Sequence, residues 1–251
     1  MLDGRLDDPA LRAQIAQAKI DLAAALRLAD RHGFSEGICN HFSYAVPGHA
    51  DIFLLNPYGR HWAEMRASDI LVLDAEGRVL EGSGQAELSA FWIHSRVHVN
   101  HPQARAVLHV HMPWATTLTS IESGRLLPCS QNALRFWNDV AYDDDYNGLA
   151  GDKAEGDRIA GTLNGKRVVF MANHGVTVVG ESIARAFDDL YYLERACELQ
   201  VKAMQTGRPL KLVSDNVAGN VKAALDSNPY AADHFVALKR LLDREGQDYA
   251  A

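Results

Sequence analysis

The sequence predicts an α+β domain, on three observations. Short apolar runs with strand character fall before residue 81, around residue 107 and across residues 168–179. Longer stretches between and around them carry apolar residues at helical spacing. No internal repeat or low-complexity linker separates these runs, so they must share one core. A chain of 251 residues with 47% hydrophobic and 23% charged residues can bury such a core.

Asp8 followed by Pro9 reads as a helix start. Leu11, Ile15, Ala18, Leu22, Ala25, Leu26 and Ala29 then form one apolar face as far as His32, and Gly33 stops the helix. His32 in its last turn suits the helix dipole as a cation. Strands are expected over residues 38–46, 51–55, 70–73 and 78–80, joined by turns at Pro47-Gly48 and Asn56-Pro57-Tyr58-Gly59. Residues 87–100 read as a helix ended by His101-Pro102. Residues 106–110 read as a buried strand, 113–120 as a short helix, and 127–132 as extended chain. The acidic stretch 139–146 reads as a solvated loop, since the spacing and closing Glu of a calcium loop are missing. Asp152 opens a helix to Leu163, two strands flank His174, and Ser182 caps a long helix to about Gln205. Two weaker helices, near 217–225 and 229–245, make up a tail, the second starting near Pro229.

The functional signal lies in residues 105–113, RAVLHVHMP. His109 and His111 are two apart on a strand, so both imidazoles face one way. Two ligands do not make a stable site, and His174 in MANHG, between two apolar runs, is the best third. Gly175 lets the chain turn there. Three histidines with an open position is the pattern of a catalytic metal. On spacing alone, incidental strand histidines remain the competing reading. His94 and His98, four apart on the expected helix, could also grip a metal, but no Glu follows the first of them and a packed, hydrogen-bonded pair is the better reading.

The net charge of −7, with no Lys/Arg run, argues against a nucleic-acid partner. No apolar stretch is long enough to span a membrane, and the first residues lack a signal-peptide layout. Cys39, Cys129 and Cys197 form no CxxC pair. A cytoplasmic protein is expected.

Taken in order, NHFS at 40–43, LLNPYG at 54–59, the helix SAFWIHSRVHVN with its HPQARAV extension, LHVH, ANHG and YYLERACELQ at 191–200 resemble the class II aldolase/adducin family, over roughly residues 10–207. The resemblance implies a single domain over 1–251, with a core at about 10–207 and a helical tail at 208–251. It implies a three-layer α/β/α fold around a mostly antiparallel sheet, and a homotetramer with sites at subunit interfaces. It implies that His109, His111 and His174 hold Zn²⁺, or Mn²⁺, Fe²⁺ or Co²⁺. In the family's aldolases the metal grips substrate oxygens and stabilises the enediolate formed as a carbon–carbon bond breaks. Glu87 is the only nearby candidate for the family's acid/base carboxylate, although Ala90 falls at the ungapped aldolase position. A first-turn helix carboxylate is the structural alternative for Glu87.

Cys39 and Tyr58 stand where the sugar-phosphate enzymes carry small residues that let backbone amides approach phosphate. The substrate is therefore expected to be a small hydroxy- or oxo-compound that is not a sugar phosphate, with Asn40, Ser43 and Tyr58 lining the pocket. Tyr191 and Tyr192 could reach a neighbouring subunit's site, though core packing is preferred for them. The expected reaction is retro-aldol cleavage or decarboxylation by a metal-dependent lyase. An Fe(II) oxygenase on the same histidines, and a non-enzymatic adducin-like module, are the alternatives.

Overall fold

The computed structural model describes residues 4–228 and 230–251. The first helix, α1 (Pro9–Arg31), starts where expected: the Asp8 carboxylate accepts from the Ala10 and Leu11 N–H groups. Eight strands follow among the described residues: β1 (His41–Val46), β2 (His49–Leu55), β3 (Leu71–Asp74), β4 (Val79–Glu81), β5 (Ala106–Val110), β6 (Val140–Asp143), β7 (Val168–Met171) and β8 (Gly175–Gly180). They form one sheet in the order β4-β3-β2-β1-β5-β8-β7-β6. Every pairing is antiparallel except β6 with β7.

Helices cover both faces, which makes the three layers. Ala106, Leu108 and Val110 of β5 join Phe42, Val176 and Val178 against α1, α3 (Pro113–Thr119) and α6 (Ile183–Met204). Val107, Val169 and Val179 point the other way, toward α2 (Leu88–Asn100) and α5 (Lys153–Leu163). The strand alternation thus decides which side chains meet which helices. The two outer helices cross at Gly156, where a Cβ would lie 2.6 Å from the Trp92 carbonyl oxygen; only glycine permits that approach.

Two expectations fail in the middle of the chain. Residues 127–132 end not as extended chain but in α4 (Gln131–Leu134), capped by the Ser130 hydroxyl. The acidic stretch is not a solvated loop: its first half is the edge strand β6. Asp143 can be buried there because Arg158 of α5 meets both carboxylate oxygens, at 2.6 and 2.7 Å. The tail forms α7 (Asp215–Asp226) and α8 (Tyr230–Arg244), and Phe235 and Leu242 of α8 enter the core with α1 and α6. The start expected at Pro229 lies outside the described residues. His32 is no cation: burial and the nearby Arg31, His234 and Arg195 depress its pKa, and its ring packs on Phe34 and Tyr191.

Candidate metal centre and cavity

β5 lies in the middle of the sheet, flanked by β1 and β8 in register: His109 faces His41 on one side and Thr177 on the other. His111 follows just past the end of β5. His174 sits in the tight β7–β8 turn, closed by the bond from the His174 N–H to the Met171 carbonyl, 3.1 Å. That turn is made by Asn173, at φ 55°, rather than by Gly175. Gly175 is needed for proximity instead. A Cβ on it would lie 2.5 Å from the Val110 carbonyl oxygen and 2.7 Å from the His111 Cδ2. Glycine therefore lets the His174 turn rest directly on the strand that carries the other two histidines.

The three rings converge. Their centroids are 5.1 Å (His109–His111), 4.8 Å (His109–His174) and 4.8 Å (His111–His174) apart, and each ring offers a nitrogen within 4.8 Å of the others. The outward nitrogens are held. The Thr177 hydroxyl donates to the Met171 sulfur at 3.6 Å, so its oxygen accepts from the His109 Nδ1–H at 3.2 Å. The His111 Nδ1 meets a Glu36 carboxylate oxygen at 2.5 Å. What remains at His111 is a buried Nε2 with no protein partner. A buried polar atom left unpaired costs free energy. Here it shares one point with ring nitrogens of His109 and His174, and behind His109 and His111 stand the Thr177 hydroxyl and the Glu36 carboxylate, the arrangement in which a hydroxyl or carboxylate orients a metal-ligating imidazole. Burial also keeps His109 and His174 neutral: it pushes the His109 pKa far down, and lowers His174, helped by His111, to about 4. The residues fit a divalent ion.

A cavity of about 400 Å³ opens beside the three rings. Asn40, His41, Asn56, Tyr58, Glu87 and Ser89 line it, with Ile38, Leu88 and Leu149 at its mouth; the last three and Tyr58 are exposed. Asn40, at φ 71°, sits in the left-handed region just before β1, and its Oδ1 accepts from the His111 N–H at 3.4 Å. That kink is why β1 starts at His41 and not near residue 38. Tyr58 stands at the rim, half-exposed.

Glu87 faces the cavity and also caps α2. Its carboxylate accepts from the Ala90 N–H at 2.8 Å and from the Ser89 hydroxyl. Burial alone would raise its pKa, but the Ser89 hydroxyl and the Ala90 and Ser89 N–H groups together outweigh burial and hold it below the usual Glu range. It is a resident carboxylate anion.

Ser43 does not line this cavity. It shares the His41 face of β1 but lies two pairs further from the end, opposite Val107, and is fully buried. Its hydroxyl bonds His94 Nδ1 and, at 2.7 Å, His98 Nε2. His94 and His98 are thus the packed, hydrogen-bonded pair that the sequence favoured. His41 reads in the sequence as a polar strand or loop residue, and it is one, but its partners were not foreseen: its Nδ1 lies 2.7 Å from His94 Nε2 and its ring stacks on His109 at 4.9 Å. The signal was available in NHFS beside the HxxxH helix, but it needed the strand register to connect the two. Tyr191 and Tyr192 pack against each other and against His234 at the start of α8, away from the three rings.

A three-layer fold with a trio of histidines at the ends of central strands defines an aldolase-type architecture. The chain belongs to the class II aldolase and adducin family: the family model described as "Class II Aldolase and Adducin N-terminal domain" matches residues 20–201. A putative aldolase class 2 protein of Caulobacter vibrioides is 33% identical, over the whole of both chains. Decarboxylase NovR of Streptomyces niveus is 31% identical, over 90% of this chain and 85% of its own. A protein of Streptomyces roseochromogenus named 4-hydroxy-3-prenylphenylpyruvate oxygenase/4-hydroxy-3-prenylbenzoate synthase is 31% identical, over 76% and 70%. Among solved structures, an aldolase II superfamily protein from Pseudomonas syringae superposes with a TM-score of 0.88 at 33% identity, covering 95% of this chain and 96% of that one. L-fuculose 1-phosphate aldolase from Glaciozyma antarctica gives 0.82 at 26% identity, covering 94% of each.

Proposed function

We propose that the protein is a divalent-metal-dependent lyase that breaks a carbon–carbon bond in a small hydroxy- or oxo-acid. The observation that carries this is the convergence of His109, His111 and His174, with a buried unpaired nitrogen, on the wall of an open cavity. These three would hold Zn²⁺, Mn²⁺, Fe²⁺ or Co²⁺. Such an ion would supply Lewis-acid stabilisation to negative charge growing on a substrate oxygen. Glu87, already ionised, takes the proton of the substrate hydroxyl as the bond beside it breaks, and the electron pair of that bond passes to the departing carbon. Asn40 and Tyr58 bind the rest of the substrate. In a decarboxylation CO₂ departs without the electron pair, which stays on the carbon left behind, and a proton is then delivered to that carbon.

No Lys or Arg is among the described residues lining the cavity, and its mouth is apolar: Ile38, Tyr58, Leu88 and Leu149. A phosphate would find no Lys or Arg side chain there, whereas an aromatic or alkyl group would cover exposed apolar surface. This favours an oxo-acid with an apolar substituent over a sugar phosphate. The protein is taken to work in the cytoplasm as a homotetramer on a small-molecule substrate, with no nucleic-acid or membrane partner. Among the described residues no helix is long and apolar enough to cross a membrane.

Metal analysis of wild type beside His109→Ala, both purified without chelator, tests the site. Bound metal in the first and none in the second supports it; equal metal in both refutes it. A screen of hydroxy- and oxo-acids with metal restored then tests the reaction. The oxygenase reading has its own support in the Streptomyces roseochromogenus relative's name. Turnover that stops under anaerobic conditions would establish it in place of the lyase.

A further inference from the structure

Behind the cavity wall a buried chain of polar side chains runs from α2 to the metal centre. It begins at a backbone carbonyl: His98 Nδ1 lies 3.0 Å from the Ala104 oxygen. A carbonyl only accepts, so the proton is on His98 Nδ1. Burial keeps His98 neutral, with its pKa lowered to about 4, so its Nε2 carries a lone pair. The Ser43 hydroxyl, 2.7 Å away, must donate to that lone pair. Having spent its only proton, Ser43 accepts from His94 Nδ1–H. Burial pushes His94 well below its usual pKa as well, and a neutral His94 protonated on Nδ1 has a lone pair on Nε2. His41 Nδ1, 2.7 Å from it, therefore donates. Followed along these side-chain hydrogen bonds, the proton count places the His41 proton on Nδ1 and a lone pair on Nε2. Among the described contacts the one hydrogen bond of the His41 ring is through Nδ1, and the side chain lines the cavity next to His109.

We propose that His41 is a specificity residue of this site, a hydrogen-bond acceptor of fixed tautomer that selects a substrate bearing, next to the metal centre, a hydroxyl other than the one whose proton Glu87 takes. The tautomer is set about four side chains away, at the Ala104 carbonyl. The claim deepens the lyase reading and rests on it. Four rings or hydroxyls locked by one carbonyl cannot swing to offer a donor without unpairing a buried group, so a substrate with an acceptor at that position is rejected. Ser43, His94 and His98 are positioning residues; of these four side chains only His41 meets the substrate.

Two measurements on the full chain test this. Long-range nitrogen–proton correlation NMR on the metal-free protein reports which nitrogen of each histidine carries the proton. Wild type is expected to show His41 and His94 protonated on Nδ1, and Ser43→Ala to show His41 as a tautomer mixture. In the zinc-loaded protein, glycolate and acetate serve as probes differing by one hydroxyl. His41→Phe is expected to keep its zinc while its preference for glycolate over acetate falls by about 3- to 10-fold. A proton on Nε2 of wild-type His41, or a glycolate preference that survives His41→Phe, overturns the proposal. The wild-type spectrum decides the tautomer even if Ser43→Ala does not fold. A wild type with the expected tautomers that binds no zinc would instead refute the lyase reading.

Discussion

Gly175→Ala puts a methyl group where the structure has no room for one. The added carbon would sit 2.5 Å from the Val110 carbonyl oxygen and 2.7 Å from His111 Cδ2, with the His111 Cα at 3.3 Å. Ordinary contact requires the turn and the strand to separate by about 0.7–0.9 Å, since repulsion rises steeply inside van der Waals distance. The nearer obstacle, the Val110 oxygen, is backbone of β5, so rotation of the His111 side chain alone cannot absorb the movement. Overpacking of this kind costs about 1–3 kcal/mol. For a chain of this size that corresponds to a fall in Tm of about 4–8 °C at the middle of the range. The same displacement carries His174 away from His111, and a shift approaching 1 Å in one of three ligands should weaken metal binding by at least about tenfold. The melt is done on chelator-treated protein, because bound metal would add its own stabilisation by mass action. Zinc affinity is read separately, by competition with a chromophoric chelator. If Gly175→Ala melts with wild type and binds zinc equally well, the close approach is not what fixes this site.

Gly161→Ala is the matching control. Nothing lies within 4 Å of a Cβ there, inside α5, so helix propensity alone should act and raise stability by about 1 kcal/mol, read as a higher Tm. Glu36→Ala removes the carboxylate behind His111 Nδ1 and should lower zinc affinity about 10-fold or more, by chelator competition, with the fold unchanged by circular dichroism. Glu194 caps α3 through the Trp114 and Ala115 N–H groups, at 2.8 and 2.9 Å. Burial, against those two bonds and with Glu198 nearby, raises its pKa from 4.5 to about 7. The folded state then binds more protons than the unfolded one across that window, so stability falls as pH rises through it, by up to about 3 kcal/mol. Denaturant melts between pH 4.5 and 8 should show a flatter profile for Glu194→Gln; an unchanged slope would mean that Glu194 does not titrate there.

Where local chemistry decides structure, the sequence was readable. Asp8-Pro9, Asp152 and Ser182 are side-chain caps, and each starts its helix where the residues said it would. The HxH strand and the turn bearing His174 were likewise visible from periodicity and turn residues. What stayed hidden depended on partners distant in the chain. Asp143 looks solvated until Arg158 is brought against it, and only then is 140–143 a strand. Ser43 looks like a pocket residue until the register places it opposite Val107, behind His41. His32 looks like a dipole-stabilised cation until Phe34 and Tyr191 enclose it. Gly175 was expected to serve by bending; it serves by being small, and steric room is a property of two segments at once.

The two halves of the cavity are built from different material. The three converging imidazoles hang on the innermost strands and the tight hairpin beside them, whereas Ile38, Tyr58, Leu88 and Leu149 come from the segments around them. Peripheral segments tolerate replacement far better than a packed interior. A lineage, or a protein engineer, can therefore retool which molecule is admitted by exchanging those rim residues one at a time, while the reactive hub passes through unaltered.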